Sequence, residues 1–363
     1  MHLEPRHTVS RLAQWGAPVL AVAFTLLVTS LLVAWAGAPV GRAYALLIEG
    51  GFGSRFAWSE TLTRATPLIL TGLAAAVAFR ARLFNIGAEG QLYAGALAAV
   101  AVGSWQTGAG AGAGAALPVW LLFPLMMAAA AVAGALLLLG PALLKSRLGV
   151  DEVVTTLLLN FIVLLFVSML LDGPMKDPGA MGWPQSVALP GDLQLGKLLA
   201  RTRVHSGLLW AALLALALWA LLKFTTLGFE IRAVGANARA AAFAGMPVSW
   251  VTLKVALLSG ALAGLAGAIE VAGRTTYVTL DMSPGYGYSG IVIAMLAGLN
   301  PLGVLAAAVF VAGVLVGADS MSRAVNVPTY IADVIVAVSL LSMLVATLLA
   351  QYRVVWRRAA HGG

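Results

Sequence analysis

The sequence predicts an all-α, polytopic integral membrane protein with about ten transmembrane helices, some of them broken or re-entrant, and with both termini cytoplasmic. Three observations carry that prediction. Hydrophobic residues make up 61% of the 363 positions and charged residues only 10%, with a mean hydropathy of +0.95; a soluble domain carries about 25% charged residues. Apolar runs of near-span length recur along the whole chain. The Lys and Arg residues cluster in alternate connecting segments. Ten spans of about 20 residues would use about 200 positions, which leaves no room for a large soluble domain, so residues 1–363 are expected to form a single transmembrane domain.

The first apolar run, from about Ala17 to Ala36, is longer than the roughly 7–15 residues of a signal-peptide core and reads as a retained anchor. Further runs fall near 65–79, 86–104, 118–140, 153–171, 207–222, 250–269, 288–299, 302–318 and 330–350. Two of these, 86–104 and 288–299, are short or begin in Gly-rich polar sequence, as broken, tilted or re-entrant helices do. With the N-terminus inside, the inner segments hold 13 of the 22 Lys and Arg and a net formal charge of +8, against zero outside. The positive-inside rule therefore places both ends in the cytoplasm. Topology thus accounts for the basic balance: lipid is the expected surroundings and no nucleic-acid partner is expected.

Several kinds of chemistry are missing from the sequence. There is no cysteine, and His2, His7, His205 and His361 are too scattered to form a ligand cluster, so no metal site and no cofactor are expected. No G-x-x-x-x-G-K-[ST], HExxH or GxSxG occurs. The chain is therefore not expected to be an enzyme, and any ATP used must be bound by another subunit.

Among the connecting segments, 37–64, 105–117 and 172–206 read as outer and 223–249 as inner. Thr107 to Ala116 is almost wholly Gly and Ala, a flexible loop. The long outer loop, about 172–206, carries Pro174, Pro178, Pro184 and Pro190 around Trp183 and could form a lid, a docking rim or a plain spacer. The inner segment, about 225–248, reads as a short surface helix over 229–245, stopped by Gly245 and restarted at Pro247. Ile231, Val234, Ala238 and Ala242 would form its apolar side and Arg232 and Arg239 its exposed side.

Polar groups at membrane depth are functional by default, because a charge there costs several kcal/mol unless it is paired or hydrated. In Phe84-Asn-Ile-Gly-Ala-Glu-Gly-Gln91, Asn85, Glu89 and Gln91 open an apolar span, and Gly87 and Gly90 permit close contact or local unwinding. These side chains could line a polar path or hold a helix break in register. Alternatively, Glu89 pairs with Arg80 or Arg82, or caps a helix. Asp151 and Glu152 read as a helix N-terminal cap, and Asn160, deeper in the same helix, as a buried hydrogen-bonding residue. Glu270, Arg274, Asp281, Asp319, Arg323 and Asp333 lie near span ends and read mainly as interfacial charges.

These blocks resemble the permease subunits of bacterial ABC importers, in the family that serves ribose-type sugars, nucleosides and branched-chain amino acids. FNIGAEGQ (84–91) matches the hallmark of its nucleoside (basic membrane protein-associated) branch, and DEVVTTLLLNF (151–161) is similar to that branch's second block. RAVGANARAAAFAGM (232–246) resembles the cytoplasmic block, with Ala238 for a common proline and Phe243 for a common tyrosine. GYGYSGIVIAMLAGLNPLG (285–303) resembles the late glycine-rich block. The resemblance implies a permease for a nucleoside or related nucleobase compound, in the cytoplasmic (inner) membrane. It also implies ABC ATPase subunits, a second permease chain, identical or related, and an extracytoplasmic substrate-binding protein as partners. Glu230, Arg232, Gly235, Asn237, Arg239 and Gly245 would then carry the ATPase coupling, with Gly235 and Asn237 allowing close approach and backbone hydrogen bonding. A simple sugar such as ribose is the alternative cargo, and an ion-coupled secondary transporter the alternative class.

Overall fold

A computed structural model describes residues 2–5, 11–104, 117–325 and 352–355 and six isolated positions between 334 and 345; for 11–22 and the two terminal strands it describes the backbone only. The Gly/Ala stretch 107–116 lies outside the described residues, and the expected span 330–350 does so for the most part. Helices occupy most of the remainder. They are α1 (Arg11–Trp35), α2 (Val40–Phe52), α3 (Arg55–Arg80), α4 (Ala88–Gly103), α5 (Val119–Leu148), α6 (Glu152–Asp172), α7 (Gly207–Phe224), α8 (Thr226–Ala236), α9 (Ala238–Phe243), α10 (Val248–Glu270), α11 (Tyr286–Leu296) and α12 (Pro301–Val325). Nine of the ten expected spans fall on these helices. Among the described residues six helices are long and apolar enough to cross a membrane, and α1 and α2 form a further pair bent by 115°. The short runs correspond to α4, with 16 residues, and α11, with 11.

The chain falls into two compact units, residues 1–57 with 313–363, and residues 58–312. In the first, the chain turns at Gly37, whose φ of +78° suits glycine. The Tyr44 hydroxyl ties the corner by donating to Leu26 O at 2.8 Å. Val33, Ala38, Ala43, Ala318 and Met321 make its core. Strands β1 (His2–Pro5) and β2 (Tyr352–Val355) pair antiparallel. The helix α2 lies in a stretch read from sequence as an outer loop, because Arg42, Glu49 and three glycines interrupt its apolar residues.

In the second unit α4, α5 and α10 form the tightest group. Small residues make this approach possible: a Cβ on Gly134 or on Gly264 would run into the backbone of the other helix. Helices α3 and α10 are mostly buried, whereas α6 and α7 turn most of their surface outward. The outward side of α6 is apolar, with Leu158, Phe161, Ile162 and Leu165 exposed, while Glu152, Thr156, Asn160, Val163 and Val167 are buried. That is the pattern of a lipid-facing helix with its polar residues turned inward.

Candidate functional site

Between α3 and α4 the chain leaves helical geometry over residues 81–87, with Arg82 at φ 55°. Backbone groups opened at membrane depth need partners from the protein, since hydrocarbon supplies none. Helix α6 provides them from positions 152, 156 and 160, one residue per turn on a single face. Phe84 N–H donates to Glu152 Oε1 at 3.1 Å, and Ile86 N–H donates to Thr156 Oγ1 at 3.2 Å. Asn160 spans the next step: Gly90 N–H donates to its Oδ1 at 2.8 Å, and its Nδ2 donates to Ile86 O at 2.8 Å and to the Tyr288 hydroxyl at 3.2 Å. The two sequence blocks at 84–91 and 151–161 are therefore the two halves of one seam. Gly90 leaves room for it, because a Cβ there would meet Asn160 Oδ1 at 2.9 Å.

The side chains of the break close on themselves. The Asn85 and Gln91 amides exchange hydrogen bonds, each 2.9 Å. Asn85 Oδ1 also accepts from Gly87 N–H at 3.0 Å, and Asn85 Nδ2 donates to Ser259 Oγ at 3.1 Å. Ser259 in turn donates to Ala74 O at 2.8 Å, which ties α10 to α3. Asn85, Gln91, Thr156 and Asn160 are all buried. At the inner end Lys145 pairs with Glu152 and donates to Arg82 O at 2.7 Å. Asp151 caps α6 by accepting from Val153 N–H at 2.8 Å.

Glu89 is buried in the first turn of α4, and its partner is neither Arg80 nor Arg82. Its Oε2 accepts Gly287 N–H at 2.6 Å, at the start of α11. The carboxylate therefore caps a neighbouring helix, where its charge complements the dipole. Gly287 carries no side chain at a point where a Cβ would collide with Ala88 and Glu89. Thr71 on α3 donates to Tyr286 O at 2.9 Å and fixes the same end of α11.

At the other end of α10 the structure departs from the interfacial reading of the sequence. Glu270 is fully buried and pairs with Arg274 across a π-helical turn, Val271–Thr275. Arg274 Nη2 also donates to Met282 O at 3.0 Å. The Pro-rich loop, ordered and containing a 3-10 turn at Gly191–Leu193, is pinned onto this turn. Leu195 N–H donates to Ala272 O at 2.8 Å, Leu189 N–H to Thr276 O at 2.8 Å, and Ser186 N–H to Val278 O at 3.0 Å. His205, in the same loop, is buried against Gly207 and Gly273, and neither ring nitrogen has a hydrogen-bond partner among the described residues. Burial, and then the charge of Arg274, push its imidazole down to about 4. Glu270, Arg274 and Tyr286 form the group that sequence reasoning missed. The signal available was an acid and a base four residues apart at the end of an apolar run.

The inner segment is two helices rather than one. Asn237 ends α8 and caps α9, its Oδ1 accepting from Arg239 N–H at 3.0 Å and Ala240 N–H at 3.1 Å. Ile231, Val234 and Ala241 are buried, while Arg232, Arg239 and Phe243 are exposed; Ala238 and Ala242, expected on the apolar side, are exposed too. Arg232 donates to Leu222 O. Gly235 lies against the end of α3, where a Cβ would strike Arg80 O. Gly245 takes φ +82° to end the segment. Glu230 is half-buried.

Comparison with known proteins places these features in context. A sequence family described as the branched-chain amino acid transport system permease component matches residues 57–349. The chain is 38% identical over 365 residues to a glucose ABC transporter permease of Haloferax volcanii, covering 98% of this chain and 93% of that protein. It is 36% identical over 338 residues to a guanosine ABC transporter permease of Bacillus subtilis, covering 92% and 94%. A nucleoside ABC transporter permease of Lactococcus lactis is 31% identical over 329 residues, covering 88% of each chain.

Proposed function

This chain belongs to the permease component family of the branched-chain amino acid transport systems, and from that premise we propose that its cargo is a nucleoside or a related nucleobase compound. It is a multi-pass membrane subunit of an ABC importer and not an enzyme. Permeases of this kind work with an ATPase partner and a substrate-binding protein, and the missing P-loop fits that division of labour. The observation that carries the cargo reading is the near full-length likeness to permeases named for guanosine and for nucleosides. A simple sugar is the second reading, favoured by the glucose permease relative.

In this proposal residues 1–363 act as one permease domain, paired with a second permease chain, identical or related. The outer loop 172–206 faces the binding protein, and the segment 225–248 docks on the ATPase. Arg239 and Phe243, exposed on α9, supply the docking contact, supported by Glu230 and Arg232. Gly235, Asn237 and Gly245 set the angle at which the two short helices leave the bundle. ATPase closure pushes on α8 and α9 and reorients the helices they join. Asn85, Gly87, Glu89, Gly90, Gln91 and Asn160 hold the break before α4 in register beside the path.

Two experiments test this reading. Vesicles carrying this chain with its ATPase, second permease and binding protein should take up labelled guanosine only with ATP, with competition by other nucleosides. Uptake by the chain alone under an ion gradient would refute the class, and uptake of glucose or ribose without nucleoside competition would refute the cargo. Arg239→Glu combined with Phe243→Asp, both at exposed positions, should abolish ATP-driven uptake while the complex's membrane subunits remain folded. Wild-type uptake in that variant would show that α9 is not the coupling contact.

A further inference from the structure

Close to the outer end of α10, several buried oxygens find no hydrogen-bond partner among the described residues. Glu270 uses Oε1 for Arg274, but its Oε2 is buried with no hydrogen bond. The Tyr286 hydroxyl at the start of α11 and the Thr275 hydroxyl at the end of the π-helical turn are buried and unpartnered in the same way. Glu60 on α3 uses Oε2 toward Arg203 at 3.6 Å and leaves Oε1 buried without a partner. These groups share one electrostatic neighbourhood. Glu270 and Arg274 both act on Tyr286, Arg64 acts on Glu270 and on Tyr286, and Glu60 acts on Arg274. Native proteins pair nearly all such buried groups, and a local concentration of exceptions marks a place where something else supplies the partner. The π-helical turn beside Glu270 points the same way, because such turns are mostly single-turn insertions in α-helices and are frequent at functional sites.

The chemistry restricts the ligand. Glu60, Glu89 and Glu270 balance Arg64, Arg203 and Arg274 in formal charge, so the cluster offers no excess charge to a phosphate, carboxylate or ammonium. A free carboxylate oxygen accepts an O–H, and phenol and threonine hydroxyls rotate to donate or accept. Acceptors and hydroxyls gathered in one neighbourhood suit the adjacent hydroxyls of a sugar, as an acidic residue matches the ribose hydroxyl in dinucleotide sites. We propose that Glu270, Tyr286 and Thr275, with Glu60 at the rim, form a subsite that takes the vicinal hydroxyls of the cargo's pentose as it enters from the outer face. The identity of that pentose as ribose rests on the nucleoside reading above.

The test is a ratio of maximal uptake rates in vesicles carrying the full complex, at saturating loaded binding protein, for guanosine against 2′,3′-dideoxyguanosine. The wild-type ratio should be on the order of tenfold or more, the value of one or two hydrogen bonds to a charged or buried partner. Tyr286→Phe and Thr275→Val each remove one unpartnered oxygen and little volume, and each should pull the ratio toward one. Neither should lower the thermal unfolding temperature, since no internal hydrogen bond is lost. A wild-type ratio near one, or variants that slow both cargoes equally, would overturn the subsite and leave a cluster satisfied by water alone, while guanosine uptake itself would still support the cargo reading. If the complex carried ribose or glucose and no nucleoside, the cargo reading would fail. The ratio of that sugar to its 2-deoxy form in the same variants would then decide the subsite.

Discussion

Around the break at 81–87, Asn85, Gln91, Glu152, Thr156 and Asn160 each find hydrogen-bond partners inside the protein. At the outer end of α10 and the start of α11, Glu270, Thr275 and Tyr286 each keep an oxygen without one among the described residues. Both groups are polar side chains buried in a hydrophobic chain, so burial and residue type do not distinguish them. Saturation does. A polar group whose partners are all internal sets the position of a helix, and a group with an unmatched lone pair has capacity for a ligand. Substitutions in the first group should therefore appear as lost stability and those in the second as altered selectivity.

The largest stability loss is expected for Asn160→Leu, which keeps the volume but strands Gly90 N–H and Ile86 O in a buried seam. Leaving those two groups unsatisfied costs about 1–3 kcal/mol each, and thermal unfolding of the purified permease complex should register it. An unchanged unfolding temperature with lost uptake would move Asn160 from the first group to the second. Next comes the acid response of His205. Its folded pKa of about 4 lies below the ordinary value near 6.5, so as pH falls from about 6.5 to about 4 the unfolded chain takes up a proton that the folded chain refuses. Stability should therefore drop by about 3 kcal/mol across that window and be fully present above it. His205→Leu should flatten the slope, and a slope that survives the substitution would assign it elsewhere. The smallest effect belongs to Glu152→Gln. The amide oxygen still accepts from Phe84 N–H, and only the pairing with half-exposed Lys145 is lost. A cost of about 1 kcal/mol is expected, read by the same unfolding assay; a loss as large as that of Asn160→Leu would mean that the ion pair rather than the amide seam holds the break.

The polar blocks were legible in the sequence as blocks, but their relation was not. Asn85, Glu89, Gln91 and Asn160 stand out by letter among apolar neighbours. The donors that α6 meets at Phe84, Ile86 and Gly90 belong to the backbone and leave no trace in the sequence. The four-residue spacing of Glu152, Thr156 and Asn160 was visible, yet it acquires meaning only against the opened strand. Glu270 and Arg274 looked interfacial because they end an apolar run. Their burial depends on a loop about 80 residues earlier folding back over the turn. The Asn237 joint was readable as a cap signal, but the surrounding alanines favoured one continuous helix. The bend that makes α2 a separate helix depends on Gly37, whose left-handed φ no periodicity reveals.

The seam also sets an order of events during synthesis. The residues that satisfy the opened backbone at 84–90 lie 68 to 74 positions later in the chain. When α3 and the start of α4 leave the ribosome, their partner on α6 has not been made, and hydrocarbon offers no substitute. The segment is therefore expected to wait in a wetter place, at the translocation machinery or the bilayer surface, until Asn160 has been made. Because the protein has no cysteine of its own, a single thiol placed at Ile86 would report that wait: open to a water-borne reagent in nascent chains that stop before α6, and closed in chains that extend beyond it.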